Sequence, residues 1–115
     1  MGIDTYPLKF DNLARIKTGT YTGDGTVSQG ITGVGFRVRF LMIFFHPVAH
    51  NTDSYIFFKM DQTWGDYAIR IYAGLSKSYA SMINSLDVDG FTVDDAGADQ
   101  SPNTNGQVYD YVAFG

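Results

Sequence analysis

The apolar residues of this chain fall in short runs separated by Gly, Asn, Asp and Thr, and they almost nowhere recur at the spacing of an amphipathic helix. That pattern predicts strands. The first covers residues 15–21 and is closed by Thr22-Gly23-Asp24-Gly25, a turn with two glycines able to take positive φ. A short second strand is expected over 26–32, with Gly33-Val34-Gly35 as the turn after it. The strongest run is 36–46, where Arg37 and Arg39 first alternate with apolar neighbours. Phe40, Leu41, Met42, Ile43, Phe44 and Phe45 then make it apolar on both faces, which predicts a strand in the middle of its sheet or beneath a second layer. Pro47 ends it, and 46–54 reads as a polar connection.

Residues 55–60 and 66–73 read as a hairpin joined by Asp61-Gln62-Thr63-Trp64-Gly65. On its second arm Tyr67, Ile69 and Ile71 share one face while Ala68, Arg70 and Tyr72 share the other, and one of these faces is core. Over 76–86 two readings compete. Tyr79, Met82, Ile83 and Leu86 have the spacing of a helical stripe, but Ser81, Asn84 and Ser85 weaken helix propensity. A strand over 80–86 is preferred, because Asp87-Val88-Asp89-Gly90 followed by Phe91-Thr92-Val93 has the form of a hairpin. A polar loop over 94–106 leads to 107–114, where Val108, Asp110, Val112 and Phe114 alternate with Tyr109, Tyr111 and Ala113. About eight short strands at this spacing predict an all-β fold, a jelly-roll-like sandwich of two antiparallel sheets. Residues 1–13, with Pro7 among them, are expected to form an extended arm or edge segment, and 14–115 the single sandwich domain.

Composition sharpens this picture. With 44% hydrophobic and 16% aromatic residues, the chain has ample material for a core. A net charge of -4 and a pI near 4.7 argue against nucleic acid as a partner. The apolar run at 40–45 is far short of the ~20 residues of a membrane-spanning helix, so no membrane partner is expected. The first residues carry no basic cluster followed by an apolar stretch, which points to synthesis in a cytoplasm without a signal peptide. The absence of cysteine excludes disulfides and thiolate metal sites.

Candidate chemistry is sparse, and no enzyme signature or cofactor motif is present. His46 and His50 are four apart, but Pro47 between them forbids the helix that would put both on one face. Asp87, Asp89, Asp94, Asp95 and Asp99 cluster late, and oxygen-rich loops of this kind hold calcium where carboxylates converge. The chain lacks the spacing of a helix-loop-helix calcium loop and contains no Glu, which favours turn chemistry for these residues over a calcium site. Trp64 sits at a hairpin tip and has two readings: a cap over one end of the sandwich, or a contact with a sugar ring or a partner's pocket. In the second reading His50 and Asn51 are the neighbouring contact residues. The eight tyrosines are too many for every hydroxyl to be buried, so several are expected to point outward.

Gly19-Thr-Tyr-Thr-Gly-Asp-Gly25, Ile31-Thr-Gly-Val-Gly-Phe36, Gly90-Phe-Thr-Val93 and Asn105-Gly-Gln-Val-Tyr-Asp-Tyr-Val-Ala-Phe114 together resemble a small β-sandwich domain of tailed-bacteriophage tail and other virion proteins. The likeness spans about residues 19–114 and rests on turn glycines and strand aromatics. It departs at Val38, where such domains often carry proline, and this leads one to expect the central strand to start early. The resemblance implies a non-enzymatic virion component, a capsid decoration or tail-associated protein, made in the host cytoplasm and found on the virion. It further implies a homo-oligomer that docks on other virion proteins. The alternative is a lectin-like module that binds cell-surface glycans through Trp64, His50 and Asn51.

Overall fold

The computed structural model describes residues 15–46, 55–60, 65, 67–72, 77–95 and 101–115, and for 72 and 77–81 the backbone alone. Nine strands are found among these residues: β1 (Ile16–Thr22), β2 (Gln29–Ile31), β3 (Phe40–Phe45), β4 (Tyr55–Met60), β5 (Tyr67–Tyr72), β6 (Lys77–Ser81), β7 (Ile83–Leu86), β8 (Phe91–Val93) and β9 (Val108–Phe114). They form a six-stranded sheet of order β1-β9-β3-β4-β5-β6 and a three-stranded sheet of order β2-β8-β7, antiparallel throughout. The two-sheet antiparallel sandwich expected from the hydrophobic pattern is therefore the fold.

The core lies between the two sheets. Tyr21, Leu41, Ile43, Phe57, Ala68, Tyr109, Tyr111 and Ala113 reach it from the large sheet, and Ile83, Leu86, Phe91 and Val93 from the small one. Register explains the selection, since Tyr21 stands opposite Tyr109, and Ile43 opposite both Tyr111 and Phe57. On strands of period two, those partners share one face. Phe91 of the small sheet meets Tyr21 at 5.8 Å and Tyr111 at 5.0 Å between ring centroids, both edge to face. Tyr109 stacks on Tyr21 at 5.1 Å. On β5 the core face is that of Ala68, and Tyr67 is exposed.

Several boundaries differ from the sequence reading, each for a local reason. The run read as one strand over 80–86 divides at Met82, whose side chain is buried and whose carbonyl accepts from Asp94 N–H. Its halves lie in different sheets, which raises the strand count to nine. The central strand begins at Phe40 and not at Phe36, as the apolar run 36–46 led one to expect, because residues before it are engaged elsewhere. Val34 and Val38 N–H groups bond to the carbonyls of Asp89 and Asp87, so this stretch runs beside the β7–β8 turn. In the turn after β1 only Gly25 takes positive φ, at 76°. Gly23 is needed for a different reason, because a Cβ there would strike the backbone at Thr104.

Buried tyrosines give the fold a pH limit. Tyr21 donates to the Pro102 carbonyl at 2.7 Å and Tyr109 to the Ser101 carbonyl at 2.6 Å. Burial pushes the Tyr21 phenol well above the usual tyrosine range, with Tyr109 beside it adding to the effect, and burial raises Tyr109 and Tyr111 too. A raised folded-state value means that this stability is fully present below the ordinary tyrosine value of about 10 and is lost as pH climbs above it. The urea midpoint should fall steeply above about pH 10. In Tyr21→Phe, weaker at neutral pH for want of one hydrogen bond, it should fall less steeply; equal slopes in the two proteins would contradict the assignment.

Candidate docking surface

Alternation puts a second set of apolar side chains on the face of the large sheet that points away from the core. Val112 and Phe114 of β9, Phe40, Met42 and Phe44 of β3, Ile56, Phe58 and Met60 of β4, and Tyr67, Ile69 and Ile71 of β5 all lie there. The centre of this set is half-buried. Phe40, for instance, packs against Phe58 at 6.4 Å and Phe114 at 5.6 Å. Towards the margin exposure rises, to 37% at Ile71, 51% at Met60 and 55% at Tyr67. Solvated antiparallel sheets ordinarily alternate apolar-in with polar-out, and three adjacent strands here break that rule.

Charge is confined to the rim. Asp110 is the one acid on this face among the described residues, and both its carboxylate oxygens are engaged: Oδ1 accepts from Thr20 at 3.1 Å and Oδ2 lies 2.8 Å from His46 Nδ1. Thr18, Thr20 and Thr22 of β1 continue a polar margin. The remaining described acids belong to loops around the small sheet or to the turn after β1.

Those loop acids make turn contacts. Asp89 accepts from Gly33 N–H at 3.0 Å and Gly35 N–H at 2.6 Å, both glycines having positive φ. It thereby fixes the segment before β3 through long-range bonds, where the sequence led one to expect bonds to its own turn. Asp87 accepts from Ser85 and Thr92 hydroxyls at 2.7 and 2.8 Å. Asp95 accepts from Ser101 Oγ at 3.1 Å, and Asp94 N–H bonds to Met82. Among the described residues, no three His or Asp side chains gather as a group able to hold a metal ion. Trp64, His50, Asn51 and Asp99 lie outside the described residues, as does the arm at 1–13. No described helix is long and apolar enough to cross a membrane.

The sequence reading singled out loop residues and passed over this sheet face. The signal is available in the double-apolar strand 40–45 and in the matching runs 55–60 and 67–71, which are apolar at one parity and, apart from Lys59 and Arg70, at the other. It was read as evidence for an interior strand, and β3 is interior, but adjacency within the sheet does not cover the outward face. Comparisons with protein-family models, with curated proteins and with solved structures give no match for this chain.

Proposed function

We propose that this chain is a non-enzymatic building block that assembles with other protein subunits through the apolar outer face of its six-stranded sheet. The observation that carries this reading is the contiguous row of Met42, Phe44, Ile56, Phe58, Ile69 and Ile71, uncharged at its centre and bordered by threonines and the His46–Asp110 pair. An apolar core with a polar rim is the anatomy of a protein interface. The particle it builds is the virion of a tailed bacteriophage, as a capsid decoration or tail-associated component made in the host cytoplasm. That part of the proposal rests on the turn glycines and strand aromatics of residues 19–114.

Density-gradient fractionation of particles from cells carrying the gene tests it. The chain should band with the particles, and Phe44→Lys should move it to the soluble fraction while its circular-dichroism spectrum is unchanged. Recovery of the unaltered chain only from particle-free fractions would end the virion reading.

A further inference from the structure

We infer that the subunit seated on this outer face is a second copy of the same chain, stacked face to face about a two-fold axis. The inference rests on the reading of the face as the working surface and names its occupant. Area is the first argument. The apolar side chains span four strands about 4.8 Å apart, and with the threonine margin of β1 the face is five strands of about six residues at about 3.3 Å each, roughly 24 by 20 Å, or about 500 Å². Two such faces remove about 1,000 Å², the level at which a specific interface becomes plausible, and the four apolar strands alone, about 380 Å², are within the range of the largest patches on monomers.

Charge is the second argument. A two-fold interface brings each patch against itself, so a patch of one sign would repel its mate. The chain is acidic overall, at -4, yet the centre of this face carries no charge, and its one acid among the described residues stands at the rim beside His46. Asp24, Asp87, Asp89, Asp94 and Asp95 belong to the turn after β1 and to the loops of the small sheet. Copies stacked through the large sheet therefore keep the acids of the small-sheet loops on the two outer layers. A basic partner would find on the face only Asp110 among the described acids, at the rim and already beside His46, whereas an identical apolar face matches it in polarity. Sheets stack face to face about 10 Å apart, so the pair would be a four-layer body with the small sheets outside.

The absence of cysteine makes the test clean, because Met42→Cys and Val88→Cys each introduce a single labelling site. Met42 is at the middle of the face, between Val112 and Phe58, whereas Val88 is 67% exposed in the β7–β8 turn of the small sheet. Sedimentation velocity of the full chain at micromolar concentrations should give a dimer. Electron-electron distance measurements should place paired Met42→Cys labels within about 25 Å and Val88→Cys labels about 30 Å or more apart. Phe44→Lys, and Ile71→Lys at a site already in contact with water, should each weaken dimerisation at least about thirty-fold, with Val88→Lys without effect. A monomer at 100 micromolar (about the limit of such runs) overturns the inference, as does a dimer whose Val88 labels are the close pair. A monomer with an immobilised Met42 label shows that the chain covers the face itself, and this too overturns it. If the monomer still bands with particles and Phe44→Lys still releases it, the face docks on a different virion protein: the occupant is then wrong and the proposed function stands.

Discussion

Phe91→Ala should lower the unfolding free energy by about 3–5 kcal/mol, the range for removing a fully buried aromatic from a core. Phe91 has no solvent exposure, and its ring is the small sheet's contribution to the cluster with Tyr21 and Tyr111 of the large sheet. The strands beside it are short, three residues in β2 and four in β7, so the three-stranded sheet has little stability apart from what it packs on. Truncation therefore weakens the joint between layers as well as leaving a cavity. Urea unfolding followed by tyrosine fluorescence and by far-ultraviolet circular dichroism would measure it. Phe91→Leu, which keeps most of the volume, should cost about 1–1.5 kcal/mol. A loss below about 1 kcal/mol for Phe91→Ala would mean that the two sheets do not pack as described.

Asn103→Ala carries the next largest effect, about 2–4 kcal/mol, from breaking the three hydrogen bonds of a buried side chain. Asn103 is fully buried, and its amide donates to Asp24 Oδ1 at 3.0 Å and to the Thr26 carbonyl at 2.8 Å. Its oxygen accepts from Asp24 N–H at 3.1 Å, and its own carbonyl accepts from Gly25 N–H at 2.9 Å. One side chain thus ties the loop before β9 to the turn after β1. Asn103→Asp should not rescue it, because a second carboxylate would face Asp24 and the amide donors would be lost. The Thr26 hydroxyl and N–H, with Asn103 behind them, hold the Asp24 carboxyl below the usual carboxylate range. A lowered folded-state value contributes stability above the ordinary aspartate value near 4, and this is lost as pH falls through the folded-state value. Acid should therefore weaken the original protein more than Asn103→Ala, a difference readable from urea midpoints at pH 7 and pH 3.

How far the sequence carries one into this structure depends on which interaction is asked about. The β7–β8 hairpin was legible because Asp-Val-Asp-Gly is local turn chemistry, and β4 with β5 because two alternating runs flank one short loop. The break at Met82 is hard to read because Met82 and Ile83 are adjacent and both buried, a loss of alternation that fits a helical stripe as well as a change of sheet, and a distant partner, Asp94, decides where the ladder stops. Lys59 was equally hidden. It occupies the core parity of Tyr55 and Phe57, and its ammonium donates to the carbonyls of Gly65 and Tyr67, a burial made affordable by backbone that folds over it. Asn103 looked like one more polar loop residue, since nothing in its neighbours distinguishes a solvated amide from a buried one. At the docking surface the residues themselves were plain. What the pattern could not convey is that a strand flanked on both sides within its sheet still has one face without a layer over it among the described residues.

The position of β9 bears on how the chain comes to be folded at all. It lies between β1 and β3, so among the described residues the first strand joins the large sheet only through the last. Residues 17–113 separate Ile16 from its partner Phe114. While the chain is being made on a ribosome, β1 has no mate and one flank of β3 is open until residues 108–114 emerge. Closure of the large sheet thus waits for residues 108–114 and is governed by a long loop that must bring its ends together.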